Sequence, residues 1–272
     1  MSTRRFLLFT VATLSLLPPA RRAAAADILR IGGTGAATAL MTYLAVAFTA
    51  KTGIGVRVIP SLGSSGGIRA AADGLVDIAL SGRPLSAAET ARGLRMAGAI
   101  RTPYVFATSH PAPPSMTPEA IVAAFQSPRM NWPDGSRIKV VLRPRAESDN
   151  QVMIALLPGM DAALDAARRR PELPTAATDQ DNADMALDLG GSLIGATLTQ
   201  MLMEHRDLRL IPINGVTPTA EALRSGAYPF AKDLHLVHFQ VPSEPAVAFM
   251  RFMRSPEAIG LLNEAGCLPG AN

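Results

Sequence analysis

Val76-Asp77-Ile78-Ala79-Leu80-Ser81-Gly82-Arg83-Pro84-Leu85 decides how this 272-residue chain is read, together with Gly33-Thr34-Gly35-Ala36-Ala37-Thr38 and Gly63-Ser64-Ser65-Gly66-Gly67 upstream. Each stretch sits where a strand pattern gives way to a helix pattern. Small residues there leave backbone N–H groups open at a helix start, which is how a protein holds a small anion. Strand, helix and strand in this rhythm imply parallel strands joined by right-handed crossovers.

Working outward, Ile28–Gly32 is a strand candidate and Ala37–Lys51 a helix, with Leu40, Tyr43, Leu44, Ala47 and Phe48 on one face and Gly53 beyond its end. Strands are expected at Val56–Ile59 and Val76–Leu80 and a short helix at Gly67–Asp73. Ser86 and Glu89 form a capping box for a helix to about Met96. A strand at Tyr104–Ala107 follows, then the connector Pro111-Ala112-Pro113-Pro114. Thr117-Pro118 opens another helix, and Asn131–Gly135 makes a turn before a strand at Ile138–Leu142. Helices at 150–157, 160–170, 182–189 and 198–205 alternate with strands at 175–178, 192–196 and 208–213. After Gly226-Ala227-Tyr228-Pro229 come a long strand at Leu234–Val241 and two final helices, the second opened by Ser255-Pro256. This order predicts an α/β fold in two lobes, each a mostly parallel sheet flanked by helices. Residues 27–104 and 228–272 form the first lobe and 105–227 the second. Ligands in such sheets bind beyond the carboxyl ends of strands, here in the cleft between lobes.

Residues 1–26 read as a cleaved export signal. Arg4-Arg5 precede an apolar run from Phe6 to about Ala20, and Ala23-Ala24-Ala25-Ala26 precede Asp27. The run is too short to span a membrane and contains Pro18-Pro19. Thr3-Arg4-Arg5-Phe6-Leu7-Leu8 resembles a twin-arginine signal, with ordinary secretion the alternative, and no Cys near the cleavage point offers a lipid anchor. The expected location is the periplasm. The chain has 26 basic and 22 acidic residues; removing the four arginines of the signal leaves 22 of each. That balance favours neither nucleic acid nor an anionic membrane as partner. The one cysteine, Cys267, makes no intrachain disulfide and reads as a small packing residue behind the last helix. Sparse aromatics argue against stacking on sugars or bases.

The chemistry is concentrated in four segments. In 63–67, Ser64 and Ser65 offer caps and hydroxyls while Gly66 and Gly67 admit a ligand to the backbone; a plain capped turn is the simpler alternative. The same residues match G-x-S-x-G with Ser65 as a hydrolase nucleophile. Only two strand candidates precede it, and no His-Gly-Gly oxyanion segment lies upstream. His110, His205, His235 and His238 read more simply as packing or surface side chains. Arg143-Pro144-Arg145-Ala146-Glu147-Ser148-Asp149-Asn150 ends a strand and begins a helix; an Arg there binds an oxyanion bidentately and a neighbouring acid orients it, unless the segment is merely a solvated charged loop.

These segments resemble the periplasmic phosphate-binding proteins of ABC importers, in the type II periplasmic-binding fold. The resemblance is clearest over 31–90 and continues more weakly through Val140–Asn150 and Gly191-Ser192-Leu193-Ile194-Gly195. It implies that Gly33–Thr38 opens the first helix on the ligand, with Ala37 at the place of the family's Thr and Thr38 or Thr34 as a substitute hydroxyl. It implies that Ser64 gives a hydroxyl and that Arg145 and Glu147 match an Arg-x-Asp segment. The family's Val-Asp-x-x-x-Ser-Asp-x-Pro-Leu ends its Ser-Asp pair in an acid that accepts the proton of hydrogen phosphate; here Ser81 is followed by Gly82 and Arg83. The family's Ser-Gly-Thr is replaced by Ser148-Asp149-Asn150-Gln151. Losing the acid removes the filter that selects a protonated over a fully ionised oxyanion. The expected ligand site is therefore Ala37, Thr38, Ser64, Ser65, Ser81, Arg83, Arg145, Glu147 and Asp149, without catalytic residue, metal or cofactor. The implied function is capture of phosphate or a related small oxyanion by a monomer serving an importer permease. A sensory module for another small anion and the Ser65 hydrolase are the alternatives.

Overall fold

The computed structural model describes residues 28–270. The segment read as an export signal, residues 1–26, lies outside the described residues.

The first lobe begins with β1 (Ile28–Gly33), one turn of 3-10 helix (Gly35–Ala37) running into α1 (Thr38–Thr52), β2 (Gly55–Ile59), α2 (Gly63–Ala72), β3 (Ile78–Ser81) and α3 (Ala87–Ala91). A long strand, β4 (Leu94–Thr108), carries the chain into the second lobe. There follow α4 (Pro118–Gln126), β5 (Lys139–Val140), α5 (Ser148–Leu156), α6 (Met160–Ala167), α7 (Asp179–Asp188), β6 (Ser192–Thr197), α8 (Leu198–Met203), β7 (Arg209–Leu210) and α9 (Ala220–Arg224). The chain returns through β8 (Ala231–Phe239) and ends in α10 (Glu244–Phe252), α11 (Pro256–Glu264) and β9 (Leu268–Pro269).

The strand order is β2-β1-β3-β8-β4-β6-β5. β2, β1 and β3 are parallel, as the crossovers through α1 and α2 require, and β5 pairs parallel to β6. β8 joins β3 antiparallel, and β4 joins both β8 and β6 antiparallel. The two-lobed α/β arrangement is thus as expected, with β4 as the strand that passes from one lobe into the other and β8 as its antiparallel partner in the first. β4 pairs with β8 through Leu94–Pro103 and with β6 through Tyr104–Ala107, so Tyr104 stands at the change of lobe.

Each lobe has its own core. Leu29, Ile31, Leu40, Leu44, Phe48, Leu234, Phe249 and Leu262 pack in the first. Phe106, Ile121, Phe125, Trp132, Leu164, Leu193 and Tyr228 pack in the second. Leu40, Leu44 and Phe48 recur at helical spacing, which places α1 on the sheet; Phe48 meets Phe249 edge-on at 5.2 Å. Burying each such side chain contributes about 1.5–3 kcal/mol. Cys267 is buried in the first core, where burial pushes its thiol up to about 11.

Several boundaries differ from the sequence reading. The helix expected at 67–73 spans Gly63–Ala72, because Gly63 at φ 67 turns the chain into it four residues earlier. Ser64 and Ser65 are therefore inside its first turn rather than caps. The helix from Ser86 ends at Ala91, since Gly93 at φ 92 stops it, and Met96 belongs to β4. β4 itself is fifteen residues long rather than the four expected, because Leu94–Pro103 pairs with β8, with a bulge at Ala97. Residues 175–178 form no strand, only a bridge from Leu142 to Thr175, and the strands expected at 138–142 and 208–213 shrink to two residues each.

Gly67 fixes how closely α2 approaches β1: a Cβ there would lie 2.5 Å from the Gly33 Cα. A Cβ on Gly66 meets only Leu62, at 3.6 Å. Gly67→Ala is expected to cost about 1–3 kcal/mol by forcing two backbones apart, while Gly66→Ala gains about 0.5–1 kcal/mol of helix stability. Urea midpoints of the two variants check this; equal midpoints would remove Gly67 as the contact that seats α2.

Candidate functional site

Five charged side chains meet between the lobes. Arg143, at the end of the short β5 segment, has a buried guanidinium that is 4% exposed. Its Nη1 lies 3.1 Å from Asp179 and 3.6 Å from Asp149, and its Nη2 lies 3.3 Å from Glu147. Lys232, on β8, is fully buried and pairs with Asp149. Two cations thus face three carboxylates. Burying an ion costs several kcal/mol unless partners replace its water, so each must be satisfied by its neighbours. Helix starts assist: Asp149 lies in the first turn of α5 and Asp179 in the first turn of α7, where the helix dipole favours negative charge.

Asp179 reaches furthest. Oδ1 accepts from Arg143 in its own lobe, while Oδ2 accepts the backbone N–H of Ala36 at 3.0 Å and the Thr34 hydroxyl at 3.3 Å in the other. The helix-start cradle that the sequence marks as an anion holder therefore receives a carboxylate from across the cleft. Burial alone would raise the Asp179 carboxyl, but Lys232 and Arg143, with the Ala36 N–H, outweigh it and hold the group below the usual carboxylate range. Glu147 goes the other way: burial raises it, and Asp179 and Asp149 add to the rise against Arg143. Next to Asp179, Gln180 donates to the Gly35 carbonyl at 3.1 Å and accepts from Ser61. Ser64 reaches Ser148 at 3.3 Å.

The residues named from sequence divide around this cluster. Glu147 and Asp149 belong to it. Ser64 is buried beside it, its Oγ accepting the Gly82 N–H at 2.9 Å. Ala37 and Thr38 lie on the cradle turn, although the N–H that meets the carboxylate is that of Ala36. Arg145 is elsewhere: its side chain is 71% exposed and pairs with Asp165, and Arg143, two positions back, takes the buried place. Ser81 is buried, with its hydroxyl donating to the Arg83 carbonyl. Arg83 is at the rim, bound bidentately by Glu89 at 2.8 and 2.9 Å and donating to Ser65. Ser65 is exposed.

Gly82 has a specific occupant. A Cβ there would lie 2.6 Å from Lys232 Cε, 2.7 Å from Ser148 Oγ and 3.1 Å from Lys232 Nζ. Where the resemblance expects an acid, this chain places an ammonium. Lys232, Asp179 and Tyr104 escaped the sequence reading. Tyr104 is fully buried, and its hydroxyl finds no protein partner among the described residues; neither do Arg143 Nε and Asn150 Oδ1. A cavity of about 120 Å³ opens beside the cluster, lined by Gly35, Ser61 and Gly63 of one lobe and Arg143, Glu147 and Asp179 of the other. A larger one, about 200 Å³, lies on the first lobe among Ala97, Ile100, Leu236, Met250 and Leu262. Its apolar walls lack convergent polar groups, so the smaller cavity is the better candidate.

A family model described as a PBP superfamily domain matches residues 18–257, and the chain belongs to that superfamily. A candidate phosphate ABC-transporter substrate-binding protein from Clostridium perfringens, with bound phosphate, superposes with a TM-score of 0.77 at 16% identity, covering 89% of this chain and 99% of that one. An ABC-type phosphate transport receptor from Vibrio cholerae gives 0.61 at 17% identity over 88% and 99%. The periplasmic molybdate-binding protein of Azotobacter vinelandii gives 0.57 at 15% identity over 88% and 98%. At these identities the likeness is one of fold. No curated protein matches the chain.

Two measurements probe the electrostatics. Lys232→Met leaves Asp149 buried with one cation less and is expected to cost about 3–5 kcal/mol, most of it recovered in Lys232→Met/Asp149→Asn; urea unfolding of the singles and the double checks this, and additive losses would contradict a mutual pair. At the rim, the hydrogen bonds from Arg83 pull Glu89 from 4.5 to about 2. A depressed carboxylate stabilises the fold above its unfolded value and loses that contribution as pH falls through its folded one. The melting-temperature gap between wild type and Glu89→Gln is therefore expected to be constant above pH 5 and to close between pH 4.5 and 2.

Proposed function

We propose that this PBP-superfamily protein is a periplasmic solute-binding protein that captures a small oxyanion, phosphate first among candidates, and presents it to an ABC importer. The observation that carries the reading is the Asp179 carboxylate itself. An oxyanion-shaped group sits where the Ala36 N–H, the Thr34 hydroxyl and Arg143 converge, at 3.0, 3.3 and 3.1 Å. A site with this geometry offers backbone, hydroxyl and guanidinium donors to any small tetrahedral anion, each a charge-assisted hydrogen bond. With Asp179 moved aside, Arg143 and Lys232 balance Glu147 and Asp149, and the helix starts supply the remaining positive potential.

Gly82 and Lys232 bear on which anion. With an ammonium in place of the expected acid, nothing at Gly82 accepts a ligand proton. Sulfate and molybdate are then acceptable alongside phosphate, and an acceptor for a protonated form has to come from the cluster's own carboxylates, Glu147 among them. Donors from both lobes around one ligand favour closure on binding.

Calorimetric titration of the mature protein with phosphate, sulfate and molybdate tests this. At least one is expected to bind. Arg143→Ala should weaken it about tenfold or more, the loss expected for a hydrogen bond to a charged group. Arg145→Ala and Ser65→Ala should change it less than twofold. Binding lost in Arg145→Ala but kept in Arg143→Ala, or no response to any of the three anions, would overturn the reading.

A further inference from the structure

We propose that Asp179 is an intramolecular ligand of the cleft: its carboxylate fills the helix-start cradle, clasps the two lobes together, and has to be expelled by the anion that binds there. Each oxygen serves a different lobe. Oδ2 takes the Ala36 N–H and the Thr34 hydroxyl of the first, and Oδ1 takes Arg143 of the second. These are the contacts an external oxyanion would need, so both cannot be held at once.

The surroundings are shaped for this occupant. Gly35 carries no side chain at the point of closest approach: a Cβ there would lie 2.7 Å from Asp179 Oδ2, 3.0 Å from Asp179 Cβ and 2.5 Å from Gln180 Oε1. Gly35 has no positive φ, so the constraint on it is this cross-cleft contact and not its backbone. Gln180 fastens the same junction by donating to the Gly35 carbonyl, and Gln200 holds the Asp179 backbone by donating to its carbonyl at 3.0 Å. Arg143 Nε is buried with no protein acceptor among the described residues, so the guanidinium keeps a donor that Asp179 does not use. A tetrahedral anion has more acceptor directions than a carboxylate, and Arg143 has a donor left to be satisfied.

The consequence is a built-in threshold. Affinity for an external anion is the intrinsic affinity of the cradle reduced by the fraction of molecules in which Asp179 holds it. Asp179→Asn keeps the shape, removes the charge and weakens the clasp. Gly35→Ala reaches the same end by steric means, since its methyl group displaces the carboxylate.

The test has two arms, of which only the second rests on the oxyanion reading. In the first, spin labels on Ala88→Cys of α3 and Ala162→Cys of α6, both exposed and in different lobes, report the interlobe distance in protein dialysed free of phosphate and sulfate. Cys267 is buried, which leaves the two introduced thiols to react. Asp179→Asn and Gly35→Ala are each expected to lengthen and broaden the distance distribution; unchanged distributions in both overturn the clasp. In the second, phosphate and sulfate are titrated into wild type and Asp179→Asn. Binding at least fivefold tighter in the variant supports competition, and equal or weaker binding overturns it. A lengthened distance with no anion bound by either protein supports the clasp and removes the oxyanion reading instead.

Discussion

Arg143 and Asp179 meet at 3.1 Å in a place where neither has ready access to water, and the rest of the cleft is arranged around that fact. A buried guanidinium needs carboxylates, and Asp179, Asp149 and Glu147 supply them. Three carboxylates in turn exceed what one arginine neutralises. Lys232 enters from β8 to meet Asp149, and the starts of α1, α5 and α7 provide partial positive charge for the remainder. Because Arg143 and Asp149 belong to one lobe and Lys232, Ala36 and Thr34 to the other side, satisfying the charges also decides how the lobes meet.

The fold delivers these groups through its crossing strands. β4 runs from the first lobe into the second, β8 pairs antiparallel with its first-lobe part, and each places a buried polar side chain near the junction: Tyr104 on β4 and Lys232 on β8. The parallel strands β1 and β3 end at Gly33 and Ser81, where the chain turns toward the cleft. Gly67 lets α2 lie against β1, which brings Ser64 within reach of the Gly82 N–H. Small residues at these turns thus serve approach of backbone to backbone as much as approach of a ligand.

Much of this was legible in the sequence, and the misses have physical causes. The α1 stripe, the Ser86/Glu89 capping box and the strand-to-helix turns were readable because each is local. Ser64 and Glu147 lie at turns the sequence marks, although Ser64 is inside the first turn of α2 and not its cap. The Arg143/Arg145 choice was not readable: both flank Pro144 at the end of one strand, and only the packing of α5 and α7 decides which one is covered. Lys232 carries no local signal, since its partner Asp149 is 83 residues away and is brought near by the β8 pairing. Thr178 and Asp181 make a capping box that announces the start of α7, but nothing within α7 says that the Asp between them crosses to another helix. The sequence shows Gly82 as a lost acid; that an ammonium fills the space is a fact of tertiary structure.

The most direct test of an oxyanion site centred on this cradle is a crystal structure of the protein grown in phosphate or sulfate. A tetrahedral ion within hydrogen-bond distance of the Ala36 N–H, the Thr34 hydroxyl and Arg143, with the Asp179 carboxylate withdrawn, is the predicted result. Asp179 still seated in the cradle at saturating anion, with the ion bound elsewhere, would contradict it.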